Sequence, residues 1–166
     1  MRKIRGVHIS LLALVGVALT LLVQCGTSTI GNYAVTGTLQ TNTCGAGLAP
    51  PSPWNFTVQL SQKDSTLYWN TLDGSPLKYG DLVGSQATLE GGSDSVVDTG
   101  PDGSAGPCSM SRSDVIVITL TGSPPTAFNG TLTYTFDVDS GSDCSDQSGT
   151  YDTLPCSISY AVSGTK

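Results

Sequence analysis

Trp54-Asn-Phe-Thr-Val-Gln-Leu-Ser61 and Thr131-Leu-Thr-Tyr-Thr-Phe-Asp-Val138 alternate, residue by residue, between apolar and polar side chains. Successive side chains of a strand point to opposite faces, so each segment reads as a strand with one dry side and one wet side. Trp54, Phe56, Val58 and Leu60 share the dry side of the first; Leu132, Tyr134, Phe136 and Val138 share that of the second. The same period runs outward in both directions. Tyr33, Val35 and Leu39 oppose Thr36, Thr38 and Gln40; Leu67 and Trp69 oppose Tyr68 and Asn70; Leu154, Cys156, Ile158, Tyr160 and Val162 fall on one face near the end. Asp114 to Thr121 is the most β-branched segment and is expected to be central, while Leu77 to Val83, Gln86 to Leu89 and Ser95 to Asp98 read as short strands. Turn signals separate them: Gln62 to Ser65, Asp73-Gly74, and a turn bracketed by Pro124-Pro125 and Asn129-Gly130, with Thr99 to Pro107 a loop.

From Tyr33 on helix is disfavoured, because Gly or Pro punctuates every window and no stretch of ten residues has helical periodicity. About eight one-sided strands joined by turns form an antiparallel sheet that has to close or stack on itself. The expected fold is all-β, an antiparallel up-and-down barrel of about eight strands stapled by disulfides, since sequential hairpins then satisfy every edge. A two-sheet β-sandwich of immunoglobulin type is the alternative, but the Cys-Trp-Cys spacing of that fold is missing.

Residues 1–24 do not belong to this pattern. Arg2, Lys3 and Arg5 precede an apolar run from Ile9 to Val23, short for a spanning helix and suited to a secretory signal peptide. The run ends in Leu22-Val23-Gln24-Cys25-Gly26, which resembles the lipobox of bacterial lipoproteins. That resemblance implies cleavage before Cys25 and lipidation, palmitate included, of its side chain; Gln24 departs from the small residue the family places there. Gly26 after the cysteine implies sorting to the outer membrane by the same resemblance. The expected organisation is a signal peptide over 1–24, a lipidated tether over 25–32 and a single barrel domain over 33–166, located in the cell envelope.

The cysteine count agrees with that reading. Five cysteines leave one over in an exported chain, and assigning Cys25 to the lipid leaves Cys44, Cys108, Cys144 and Cys156 as an even set for an oxidising compartment. Four cysteines allow three pairings; Cys144 with Cys156, clamping the last hairpin, is the expected one, which leaves Cys44 for Cys108. Without the signal the chain carries Lys63, Lys78, Arg112 and Lys166 against thirteen acids, a net charge of −9. So acidic a surface argues against nucleic acid, and against anionic lipid other than through the anchor.

The opening Tyr33-Ala-Val-Thr-Gly-Thr-Leu39, the Phe128-Asn-Gly-Thr-Leu-Thr-Tyr-Thr-Phe136 segment and a closing strand tied by Cys156 resemble small calycin-like (lipocalin-like) barrel lipoproteins of Gram-negative bacteria. The resemblance implies a barrel. Gly31-Asn32-Tyr33 stands where lipocalins carry Gly-x-Trp, so ligand binding is not implied.

Catalytic chemistry finds little support. The one histidine, His8, lies in the signal, which removes Ser-His-Asp and Cys-His arrangements. Ser75-Pro-Leu-Lys78 matches Ser-x-x-Lys but reads as a turn entering a strand, and no acid pair sits in an apolar pocket. Cys-x-x-Cys pairs are absent, so zinc is not expected. Asp137, Asp139, Asp143 and Asp146 offer hard oxygen ligands for calcium, yet the spacing of a calcium loop is missing and solvated strand positions account for them. Trp54, Phe56, Trp69, Tyr134, Phe136 and Tyr160 either line a cavity or fill it. The expected function is a non-enzymatic envelope lipoprotein acting as a structural or interaction module, without cofactor. Its partners are the membrane, through the anchor, and an undefined protein. A carrier of a small apolar ligand inside the barrel is the alternative.

Overall fold

The structure, a computed structural model, describes residues 26–46, 48, 51–97, 108–145 and 151–166. Eight strands, β1 (Ser28–Asn42), β2 (Trp54–Lys63), β3 (Thr66–Asn70), β4 (Lys78–Val83), β5 (Gln86–Val97), β6 (Cys108–Gly122), β7 (Pro125–Val138) and β8 (Cys156–Thr165), pair in sequence order, and β8 returns to β1 to close the barrel. All eight pairings are antiparallel. The barrel expected from the alternation is therefore the observed architecture, and the sandwich is not.

Alternation sets the two surfaces. Tyr33, Val35, Val58, Leu60, Leu67, Trp69, Leu89, Ile116, Ile118, Phe128, Leu132, Ile158, Tyr160 and Val162 point inward and are buried. Outward positions carry hydroxyls and amides that bond across strands: Thr36 to Asn55 at 3.0 Å, Gln59 to Asn32 at 3.2 Å, Thr41 with Ser159 at 2.7 Å. This is the inverse of a lipid-spanning barrel, whose outward band is apolar. Rings run through the interior as a ladder. Tyr33 meets Phe128 at 5.4 Å, Phe128 meets Trp69 at 5.4 Å, and Trp69 meets Phe56 at 6.3 Å. Phe56 stacks on Trp54 at 4.3 Å, and Trp54 meets the edge of Tyr160 at 5.5 Å. These rings share the barrel interior with the buried aliphatic side chains.

The two ends differ. Residue pairs 64–65, 84–85 and 123–124 join β2 to β3, β4 to β5 and β6 to β7 at one end, where β1 also starts and β8 stops. The strand ends linked by the longer connections, 43–53, 71–77, 98–107 and 139–155, lie at the other. Leu48, Tyr151 and Leu154 from those connections pack on the core there.

Several boundaries depart from the sequence reading. Ser28 to Asn32, taken as tether, already pair with Gln59 to Gln62 in β1. Gln86–Leu89 and Ser95–Asp98 are not two strands, because β5 runs unbroken through Gly91-Gly92 to Val97 in register with β6. Asn129-Gly130 is not a turn signal but lies inside β7, where a side chain on Gly130 would collide with the Val117 carbonyl of β6. Leu154 precedes β8 instead of lying in it. The signal segment, Cys25, loop residues 99–107 and Asp146 fall outside the described residues.

The disulfides join different partners from those expected. Cys44 bonds Cys156, with Cα atoms 4.9 Å apart, and Cys108 bonds Cys144 at 4.7 Å. The first pair follows from barrel closure. Asn42 lies opposite Ile158 and the Thr43 N–H donates to the Ser157 carbonyl at 2.9 Å, so Cys44 arrives directly across from Cys156. For the second, the Asp139 N–H extends the β6–β7 ladder to Ser109, and the chain then turns at Gly141 and comes back beside Cys108. A clamp within the last hairpin was expected because β7 and β8 are neighbours in sequence; the cross-barrel seam, a non-local contact, claims Cys156 instead.

Candidate functional site

Strand β4 reverses the pattern of the barrel. Its inward side holds the ammonium of Lys78, 4 % exposed, while Tyr79 and Val83 face solvent at 59 % and 76 %. Each side creates a feature that no neighbouring strand has.

On the inside, Lys78 meets Asp114 of β6, itself 1 % exposed. Lys78 Nζ lies 3.1 Å from Asp114 Oδ2. Arg112 clasps the same carboxylate with two hydrogen bonds, Nε to Oδ1 at 2.7 Å and Nη2 to Oδ2 at 2.9 Å. The Arg112 guanidinium also covers the Tyr134 ring at 5.2 Å from its centroid. Burial, then the neighbouring Asp114 carboxylate, push the Tyr134 phenol well above its usual range, so it stays a neutral hydroxyl. Two cations on one carboxylate leave the cluster with one excess positive charge. Every buried side-chain nitrogen and oxygen among the described residues is hydrogen-bonded, as a stable buried network requires.

Lys78 reaches β6 only because the intervening strand offers no side chain there. Register places Asp114 opposite Gly91, and a Cβ on Gly91 would sit 2.8 Å from Lys78 Cγ. Gly91→Val should therefore displace Lys78 from Asp114 and cost about 1–3 kcal/mol by overpacking. Urea unfolding of the variant beside wild type measures it, and a midpoint within error of wild type would show that Lys78 has another route.

On the outside, β3 to β6 form an open groove of about 790 Å³. Gly80, Gly91 and Gly92 supply its floor, Tyr79 and Leu77 an apolar wall, and Asp81 and Glu90 two carboxylates. Tyr68 leans on Tyr79 with ring centroids 6.2 Å apart. Gly80 is obligatory here, because a side chain would run into the Thr88 carbonyl. Leu72, Leu77, Tyr79 and Val83 are four of the five exposed large hydrophobic residues among those described, and all belong to β4 or the connection leading to it. A second, smaller cavity of about 290 Å³ lies against the Cys108–Cys144 loop, between Val138, Tyr151 and Leu154.

The residues singled out in the sequence fare unequally. Ser75 and Lys78 are not partners: the Ser75 N–H caps Asp73 at 2.9 Å while Lys78 serves Asp114, the turn entering a strand that was expected. The Thr71 hydroxyl and the Ser75 N–H hold the Asp73 carboxyl down to about 2. The acids offered for calcium are dispersed: Asp139 takes the Ser109 hydroxyl, Asp143 accepts from the Ser145 N–H at 3.0 Å, and Asp137 faces outward opposite Ser111. Among the described residues no group of three or more acids, cysteines or histidines is placed to hold a metal ion. Of the six rings, Trp54, Phe56, Trp69 and Tyr160 join the ladder, Tyr134 lies under Arg112, and Phe136 meets Tyr151 at 5.7 Å. Sequence reading missed the Lys78–Asp114–Arg112 cluster. Its one local signal was parity, since Arg112 and Asp114 fall on the same alternation as Ile116 and Ile118.

In comparisons with known proteins, the chain matches no protein-family model, no curated protein and no solved structure.

Proposed function

We propose that the protein is a non-enzymatic cell-envelope lipoprotein, held to a membrane by lipid on Cys25, whose barrel serves as an interaction module. The exposed apolar strip of Leu77, Tyr79 and Val83 beside a groove carries this reading. Apolar side chains concentrated on one face of a soluble surface mark a contact site for another molecule. The ring ladder favours an interaction module over a carrier, because it occupies the space a ligand inside the barrel would need.

The anchor fits the same geometry. Only Gly26 and Thr27 separate Cys25 from β1, whose first residue lies at the end with the two-residue turns. A lipid on Cys25 would hold that end against the bilayer, leave the β4 groove on the side wall and turn the disulfide-tied end outward. Gly26 after the cysteine supports the outer membrane as destination.

Two measurements in the native host test the two halves. Wild type should incorporate labelled palmitate and fractionate with membranes, whereas Cys25→Ala should lose the label and leave the membrane fraction; an unlabelled wild type would remove the anchor. A photoreactive phenylalanine at Tyr79 should form discrete protein adducts, while one at Thr131, on another part of the outer wall, should not. Equal adducts at both positions, or none at either, would end the interaction reading.

A further inference from the structure

The β4 groove joins three features: exposed aromatic and aliphatic side chains, a floor without side chains, and two carboxylates with no described partner. Tyr79 lies directly opposite Glu90 in the β4–β5 register, and Asp81 follows Tyr79 on the same face. Asp81 and Glu90 are thus diagonal neighbours, which on an antiparallel pair stand about 7–8 Å apart. Alternate side chains of an extended peptide, at about 3.4 Å per residue, repeat at nearly that distance.

Neither carboxylate forms an ion pair with any of the described residues. The nearest outward cation by register is Lys63, which is two strands away across Thr66 and forms no ion pair with Asp81. Lys78 lies beneath the floor but is committed to Asp114. The groove therefore presents negative charge next to a tyrosine face, the surroundings in which a guanidinium or ammonium gains both an ion pair and a cation–π contact. A second copy of this chain fits poorly, because it is acidic itself and, among the described residues, offers only Lys63 and Lys166 outside the buried cluster. Leu77 and Val83, at either end of the acids, add contacts that an apolar side chain of the same occupant would cover.

We propose that the β4 groove binds an extended segment of a partner protein bearing arginine or lysine at alternate positions, with Asp81 and Glu90 taking the basic side chains on either side of the Tyr79 ring. This rests on the interaction reading above and names the partner's chemistry.

The test uses the full chain in detergent micelles and the synthetic peptide acetyl-Leu-Arg-Val-Arg-Val-amide, followed by amide chemical shifts. Saturable shifts should centre on Tyr79, Gly80, Glu90, Gly91, Gly92 and Ser113. Asp81→Asn with Glu90→Gln should weaken binding about tenfold, and Tyr79→Ala should weaken it about threefold, both within what exposed ion pairs and cation–π contacts supply. These side chains are exposed, so the fold should tolerate the changes, and unshifted amides elsewhere confirm it. Equal binding of the peptide with citrulline in place of arginine, saturable binding of maltotetraose instead, concentration-dependent self-association through the groove, or shifts scattered over the acidic loops would each overturn the proposal. Adducts from position 79 in the host, with no peptide binding, would leave the interaction reading standing and refute the basic occupant alone.

Discussion

Asp114→Ala should lower stability by about 3–5 kcal/mol, because it leaves Lys78 and Arg112 charged inside the barrel with no counter-ion. A domain of this size shifts by about 3 °C per kcal/mol, so the midpoint of thermal unfolding should fall by roughly 10 °C. The cost lies in the stranded charges and not in the loss of attraction. Lys78 is the more costly of the two, since Arg112, about a third exposed at its side chain, can turn to water. Asp114→Leu combined with Lys78→Met and Arg112→Met removes all three charges, and should recover most of the loss or exceed wild type. Calorimetry on wild type, Asp114→Ala and the triple variant separates the accounts. If the triple variant is as unstable as Asp114→Ala, the cluster contributes through specific hydrogen bonds, and the desolvation argument fails.

Cys44→Ala with Cys156→Ala should be at least as damaging. The bond links residues 112 apart in sequence, and in the chain-entropy account closing so long a loop stabilises by about 5 kcal/mol. Cys108–Cys144, with a separation of 36, should contribute about 4 kcal/mol by the same relation. The seam variant should also loosen β1 against β8 locally, where Thr43 and Asp152 donate across the end of the barrel. Hydrogen exchange at those two amides, beside urea midpoints, measures both effects. Digestion without reductant should yield a Cys44–Cys156 peptide; recovery of Cys144–Cys156 would refute this closure of the barrel.

The barrel itself was legible because its physics is local. Trp54 to Leu60 and Leu132 to Phe136 state which side of each strand is dry, and eight such strands joined by turns have few ways to bury those sides. Asn129-Gly130 misled because a turn dipeptide also serves a strand that must approach its neighbour closely, as Gly130 does at Val117. Gly91-Gly92 misled in the same way, splitting β5 on paper where the register with β6 carries it through.

The charged cluster and the groove were hidden for one shared reason. Taken by itself, Leu77-Lys-Tyr-Gly-Asp-Leu-Val83 would turn Leu77, Tyr79 and Val83 inward, as period two demands. The observed parity is the opposite, with Lys78, Gly80 and Leu82 inward. That inversion is stable only because Asp114, 36 positions further along the chain, neutralises Lys78, and because Gly91 leaves the path between them clear. Sequence alone therefore determined an all-β chain, the wet and dry faces of most strands, its acidity and its set of pairing cysteines, and it favoured a barrel over a sandwich. These follow from composition and from residues close together in the chain. Tertiary structure alone decided which cysteines meet and which face of β4 looks outward. Both depend on contacts between residues far apart in sequence, and no local pattern encodes which distant strand will lie alongside.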